Sequence, residues 1–175
     1  MSSISENKSL LRKVIRQQKK LVGVEESKSK AELVFAEIET MDAFLKANTV
    51  LAFWSLPDEI PTHDFVVKWS KTKRLVLPVV VGDILELRLF RGTTQLEQSN
   101  HFGIMEPKTG IVIAPSDIDF AIIPGVAFDR KGNRLGRGKG FFDKLMPQFR
   151  DILKVGIGYE FQLVEIGRAS CRERV

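Results

Sequence analysis

The stretch Phe120-Ala-Ile-Ile-Pro-Gly-Val-Ala-Phe-Asp-Arg-Lys-Gly-Asn-Arg-Leu-Gly-Arg-Gly-Lys-Gly-Phe-Phe-Asp143 decides how this chain is read. Phe120 to Ile123 is an apolar run that stops at Pro124-Gly125, as a buried strand does. A loop follows in which Gly136, Gly138 and Gly140 alternate with Leu135, Arg137 and Lys139, and Phe141, Phe142, Leu145 and Met146 are spaced like the first turns of a helix. A strand, a glycine-rich loop and a helix start form an anion cradle. Glycine lets the backbone approach a ligand or adopt positive φ, and a helix start offers N–H groups without acceptors. Arg134, Arg137 and Lys139 add three positive charges suited to a polyphosphate, and Asp143, one turn on, is placed to hold a magnesium ion against it. The spacing is neither a Walker A loop nor Gly-x-Gly-x-x-Gly, and no acidic residue is placed for a ribose. The residues alone leave two readings: a solvated basic turn, or a phosphate loop of unassigned type.

Working outward, Val50 to Trp54 is a β-prone run that ends in Ser-Leu-Pro-Asp-Glu59. Polar residues at a strand's C-terminal edge lie where α/β sheets bind ligands. Glu59 is there a candidate acceptor for the N–H groups of a heterocycle. Its other reading is a helix N-terminal charge, because residues 61–69 are spaced as a short amphipathic helix. Trp54 either walls in a flat ring or packs in the core. Arg74 to Val81 is nearly all apolar, a strand buried on both faces, with Pro78 marking an edge position or a bulge. Leu85, Leu87 and Leu89 alternate with Glu86, Arg88 and Phe90, and Gly82-Asp83 joins the two runs as a hairpin. Ile152 to Tyr159 reads as another strand.

Residues 7 to 22 place Leu10, Leu11, Val14, Ile15, Gln18, Leu21 and Val22 on one helical face. Lys13, Arg16, Gln17, Lys19 and Lys20 fall largely on the other, read as solvated. A second helix is expected from about Ser29, with Val34, Ile38, Met41 and Leu45 inward and Ser27 or Ser29 as N-cap. Gly92 to Asp119 reads mostly as loop. His63 and His101 have no carboxylate or serine at suggestive spacing and read as surface or loop histidines. Strands alternating with helices, without a repeat, predict a single three-layer α/β/α domain. Its central sheet should be mostly parallel, with one or two antiparallel strands.

The chain of 175 residues is long enough for one domain with a sizeable core, and 43% hydrophobic with 28% charged residues matches a globule rather than a disordered or membrane chain. No apolar run approaches the roughly 20 residues of a membrane span. Glu6 and Lys8 interrupt any apolar leader, so cytoplasmic residence and no membrane partner are expected. Residues 166–175, Ile-Gly-Arg-Ala-Ser-Cys-Arg-Glu-Arg-Val, read as the in-frame translation of a common sequencing adapter, with Glu165 at the seam. The domain is then 1–165 and the tail is set aside. Arg168, Arg172 and Arg174 against Glu173 give that tail +2, so +3 of the formal +5 belongs to the domain, and the only cysteine, Cys171, goes with the tail. The competing reading is a genuine basic tail that binds nucleic acid.

Pro124 to Asp129 followed by Gly132 to Asp143 closely resembles the signature of the 5-formyltetrahydrofolate cyclo-ligase, or methenyltetrahydrofolate synthetase, family. Three shorter likenesses come in the family's order: Lys8-Ser-Leu-Leu-Arg12, Phe53-Trp-Ser-Leu-Pro-Asp-Glu-Ile60 and Phe102-Gly-Ile-Met-Glu-Pro107. Together they span residues 7 to 165. The resemblance implies an architecture shared with sugar-phosphate isomerases and CoA transferases. It also implies the ATP-dependent cyclisation of 5-formyltetrahydrofolate to 5,10-methenyltetrahydrofolate through a phosphorylated formyl group.

By the same resemblance ATP lies against Lys8, Arg12, Arg134, Leu135, Gly136, Arg137, Gly138, Lys139, Gly140, Phe141 and Phe142, with Arg137 and Lys139 catalytic. Trp54, Glu59, Phe102, Glu106 and Phe141 are implied to hold the reduced folate, and Asp143 to bind Mg2+. The family's second metal-binding aspartate has no counterpart here, because the tail stands where that stretch would follow. Small-molecule partners only and a monomer are expected. Two other classes compete. One is a nucleic-acid-binding module built on the basic loop and first helix, which the modest trimmed charge and the lack of interleaved aromatics disfavour. The other is a sugar-phosphate or CoA enzyme on the same architecture, which would need no ATP.

Overall fold

The computed structural model describes residues 4–99 and 103–166. In chain order it has α1 (Ile4–Lys19), α2 (Val24–Thr40), α3 (Asp42–Lys46), β1 (Thr49–Leu51), α4 (His63–Trp69), β2 (Arg74–Val81) and β3 (Ile84–Leu89). These are followed by β4 (Leu96–Gln98), β5 (Met105–Pro107), β6 (Phe120–Ile123), β7 (Ala127–Phe128), β8 (Arg134–Leu135), α5 (Phe141–Leu145) and β9 (Leu153–Gly156). The main sheet has the order β3-β2-β1-β6-β9. Four strands run parallel and β3 pairs antiparallel at one edge, as the alternation of elements led one to expect.

Register explains why these strands read as unbroken apolar runs. Val50 is level with Leu75 and Phe120, and Leu51 with Val76 and Ala121, so successive rows face opposite sides of the sheet. The first side packs on Phe35, Ile38, Phe44, Phe65 and Val66 from α2, α3 and α4. The second packs on Leu145 and Met146 at the end of α5. Both faces are covered, so neither can be polar. Phe44 is fully buried, its ring 4.9 Å from Trp69 and 5.5 Å from both Phe65 and Phe120. Phe44→Ala is expected to cost about 3–5 kcal/mol. Denaturant unfolding checks this, as a lower midpoint at unchanged slope.

The chain passes from β1 through α4 to β2 on one face, and from β6 through α5 to β9 on the other. Right-handed crossovers on opposite faces move the chain in opposite directions, so the strand order reverses between β1 and β6. A crevice opens beyond the carboxyl ends of those two strands, where such sheets take ligands.

Several expectations shift. The inward stripe of α1 is Leu11, Ile15 and Lys19, whereas Leu10, Val14 and Leu21 are exposed. Both edges of the apolar arc are hydrophobic, and the partner surface of Val126, Ala127, Leu135 and Ile166 selects one of them. Lys19, read as solvated, is only 7% exposed. Helix α2 begins earlier than expected, with Gly23 as N-cap and no side-chain cap. Ser27 instead shares a hydrogen bond of 2.7 Å with the Tyr159 hydroxyl. Extended backbone at Met41 separates α3, which leaves Leu45 exposed.

Gly92 to Asp119 is less of a loop than expected, because β4 and β5 pair as an antiparallel ribbon held to β3 by Arg88, which donates to the Pro107 and Lys108 carbonyls. Three-residue strands are too short to show a period. Pro78 lies past the last β1 partner of β2, so its missing N–H faces an open edge. Gly82, at φ +58°, turns the β2–β3 hairpin. The strand expected over 152–159 pairs only from Leu153 to Gly156. Ile166 is buried; residues 167–175, His101 and Phe102 lie outside the described residues. Among the described residues no helix is long and apolar enough to cross a membrane.

Candidate active site

Past β1 the chain makes a turn closed by its own carboxylate. The Glu59 N–H donates to the Leu56 carbonyl at 3.0 Å, and Glu59 Oε2 accepts from the Leu56 N–H at 2.9 Å. Helix α4 starts four residues later, so Glu59 is a turn residue rather than a helix N-terminal charge. Reciprocal bonds between Ser55 and Thr62 lock the segment from behind. His63 is not a free surface histidine: its Nε2 bonds the Ser55 carbonyl at 3.1 Å and its ring stacks on Trp54 at 4.2 Å. Trp54 packs one face against His63 and the core while its side chain lines the crevice.

Past β6 the small β7–β8 hairpin is organised by Asp129, whose carboxylate accepts from the Lys131 and Asn133 N–H groups at 2.9 and 2.8 Å and from Asn133 Nδ2 at 2.7 Å. Burial pushes the Asp129 pKa up, but these bonds, with one from the Ile166 main chain, outweigh it and hold the carboxyl below its ordinary 3.8. A depressed carboxyl pKa stabilises the fold above the unfolded value and loses that stabilisation as pH falls through the folded value. Hydrogen exchange should find residues 129–133 equally protected from neutrality to about pH 4 and progressively less below it. Asp129→Ala should remove that protection at every pH.

The hairpin delivers the basic loop, whose side chains do not share one role. Leu135 is 2% exposed in the core and lines neither cleft described below. Arg134 is buried, donating to the Pro124 carbonyl at 3.0 Å and to Asp143 Oδ1 at 2.7 Å, with Phe142 beneath its guanidinium. It ties the end of β6 to the start of α5, and its charge is committed to Asp143. Arg137 donates to Asp58 Oδ1 and Glu59 Oε1, both at 2.8 Å. Burial lowers the Arg137 pKa, but Glu59 and Asp58 outweigh it and raise the value. Arg12 donates to the Gly136 carbonyl at 2.9 Å, which ties α1 to the loop, while Lys8, one turn earlier, is half-buried and lines neither cleft. Lys139 is exposed on the crevice wall. Gly138 and Gly140 have φ of +112° and +72°, backbone that a side chain would strain, and Gly140 starts α5 in that conformation.

Two clefts meet at this loop. The larger has apolar walls from Trp54, Pro78, Val80, Leu85, Met105 and Phe142. Glu59 and Glu106 supply its carboxylates, and Arg137, Lys139 and Phe141 close its loop end. Glu106 is buried and accepts from the Val80 N–H at 3.3 Å, on the open edge left by Pro78. The smaller cleft lies between α1 and the loop, lined by Arg12, Arg16, Lys19, Asp58 and Arg137. Arg137 belongs to both. Sequence reasoning assigned no role to Asp58 or Lys19, because only tertiary contact brings residues so far apart to the loop.

The donor set bears on a metal ion. Among the described residues no three His, Cys, Asp or Glu side chains come together. Asp143 is exposed, and its Oδ2 is not engaged by Arg134. Magnesium is commonly held by one or two carboxylates plus phosphate oxygens and water. These residues thus fit an ion that arrives on a nucleotide, and do not form a free-standing site.

The larger cleft suits a flat, partly apolar heterocycle with N–H groups, and the loop suits a polyphosphate. A family model described as the 5-formyltetrahydrofolate cyclo-ligase family matches residues 4–166. The chain is 35% identical over 129 residues to the 5-formyltetrahydrofolate cyclo-ligase of Haemophilus influenzae, covering 69% of this chain and 68% of that one. It is 31% identical over 161 residues to the Escherichia coli protein of the same name, covering 87% of each. Among solved structures, the NMR structure of Aquifex aeolicus 5,10-methenyltetrahydrofolate synthetase superposes with a TM-score of 0.86 at 34% identity, over 96% of this chain and 86% of that one. The 5,10-methenyltetrahydrofolate synthetase of Mycoplasma pneumoniae gives a TM-score of 0.71 at 25% identity, over 90% and 88%.

Proposed function

This chain belongs to the 5-formyltetrahydrofolate cyclo-ligase family, and from that premise we propose that it converts 5-formyltetrahydrofolate and magnesium-ATP to 5,10-methenyltetrahydrofolate, ADP and phosphate. The observation that carries the reading is the junction of the two clefts. An apolar crevice with two carboxylates meets a glycine-rich basic loop at the point where the strand order reverses.

The chemical obstacle is that a formamide oxygen leaves poorly. In the proposed route that oxygen attacks the γ-phosphorus, the bond to ADP breaks, and the N5 lone pair is shared into an iminium phosphate. N10 then attacks the formyl carbon, loses its proton, and phosphate departs as the ring closes. The protein has little covalent work here; it aligns the two substrates and offsets charge as it moves. Trp54 and Phe141 flank the pterin, and Glu59 and Glu106 accept its N–H groups. The amides of residues 136–140 face the phosphates, while Arg137 and Lys139 offset charge on the transferring group. A magnesium ion carried by the nucleotide would be held by Asp143 and would screen the phosphate charges.

The basic residues also argue against the nucleic-acid alternative, because Arg12, Arg134 and Arg137 are engaged by protein partners rather than forming an outer stripe. Absorbance of the methenyl product tests the proposal. It should form from 5-formyltetrahydrofolate only when ATP and magnesium are both present. Turnover of a sugar phosphate or CoA ester without ATP would replace this reading.

A further inference from the structure

Lys19 has no part in the reaction set out above, yet its side chain is only 3% exposed and lies at the junction of the clefts. Its Nζ is 3.7 Å from Asp58 Oδ2, while Asp58 Oδ1 and Glu59 Oε1 both accept from Arg137. Four alternating charges therefore run from the small cleft to the large one: Lys19, Asp58, Arg137, Glu59. Burial lowers the Lys19 pKa, and Asp58 and Glu59 only partly oppose it. An apolar side chain of similar length would fill the space without that desolvation. Stability alone does not account for an ammonium here.

We propose that Lys19 is a positioning residue, the standing partner of Asp58 that keeps this carboxylate neutralised when Arg137 turns from Asp58 and Glu59 to the incoming phosphoryl groups. The inference rests on the reading of the loop as the nucleotide site. Without Lys19, the departure of Arg137 would leave two adjacent, partly desolvated carboxylates facing each other, and repulsion between them would hold Arg137 back. With Lys19 present, Asp58 stays paired and Glu59 becomes available to the heterocycle. Arg12 and Arg16 line the same small cleft, but neither is paired with Asp58 in the structure.

The test is calorimetric titration with magnesium-ATP of the wild type, Lys19→Met, Lys19→Arg, Asp58→Asn and the Lys19→Met/Asp58→Asn double variant, with melting curves for each. Lys19→Met should bind about tenfold more weakly. Its KM for ATP should rise by the same factor, with kcat nearly unchanged and a melting midpoint at or above that of the wild type. Lys19→Arg should retain affinity. In the double variant the carboxylate that detains Arg137 is gone, so affinity should return to within about threefold of wild type. A residue with a merely structural role would give no such rescue.

Wild-type affinity in Lys19→Met, or a double variant as weak as the single one, overturns the proposal. Should Lys19→Met fail to fold, Asp58→Asn decides: unchanged or tighter binding supports the role, and weaker binding overturns it. If the wild type itself takes no magnesium-ATP, the nucleotide site falls and this inference with it. A failure confined to the variants leaves that site standing.

Discussion

Replacing Lys139 by alanine is expected to lower turnover about a thousandfold while leaving the fold as stable as before. The side chain is exposed and lines the larger cleft between two glycines with positive φ. Surface side chains without packing partners rarely contribute more than about 0.5 kcal/mol to stability. In the proposed mechanism the chemical role is large for the same reason that the structural one is small. An ammonium poised where negative charge moves between the β- and γ-phosphates is worth about 10²–10³ in rate, and cations in phosphoryl transfer reach beyond that. The loss should appear in kcat, with the KM for the folate almost unmoved, because Lys139 lies at the loop end of the cleft and not along its apolar walls. Wild-type rates in this variant would remove Lys139 from the mechanism.

Arg137→Gln should cost about a hundredfold in kcat/KM, and unlike the Lys139 variant it should also leave a mark on the resting protein. Arg137 is the shared partner of Asp58 and Glu59. Burial raises the Asp58 pKa, but Arg137 first and Lys19 second overcome that and hold it below the ordinary carboxylate value. A carboxyl depressed in this way stabilises the fold above its unfolded pKa, and the benefit fades as pH falls through the folded value. Removing Arg137 weakens that benefit, so the acid-unfolding midpoint should move to higher pH. An unchanged midpoint together with an unchanged rate would show that the pair of ion contacts has no bearing on either property.

Local pattern carried much of this fold. The run from Phe120 to Asp143 announces strand, loop and helix because its period changes within a few residues of Pro124 and again at Gly140. The hairpin of residues 74–89 was equally legible from two apolar runs around Gly82-Asp83. Helix α1 was harder, because Leu10 and Val14 are as apolar as Leu11 and Ile15, and only the docking surface of Val126 and Leu135 separates the two stripes. The ribbon of β4 and β5 left no trace, since three residues are too few for alternation to rise above chance.

The site divides in the same way. Trp54, Glu59, Glu106, Arg137 and Lys139, drawn from segments far apart in the chain, come together on one crevice. Arg134 and Asp143, read separately as a phosphate contact and a metal ligand, pair with each other at 2.7 Å, nine residues apart in the chain. Whether two opposite charges of a loop face a ligand or face each other is decided by the path of the backbone between them, which composition does not encode. Lys19 and Asp58 meet only because α1 lies across the turn that follows β1.

In the proposed mechanism the amides of the glycine loop face nucleotide phosphates beside a bound reduced folate. Amide chemical shifts of the isotope-labelled protein test this most directly, with magnesium and a non-hydrolysable ATP analogue added first and 5-formyltetrahydrofolate second. The nucleotide is expected to move the amides of Gly136, Gly138, Gly140 and Phe141, and the folate then to move the Trp54 indole. Nucleotide-induced shifts confined to other parts of the chain, with residues 136–141 unmoved, would contradict that mechanism.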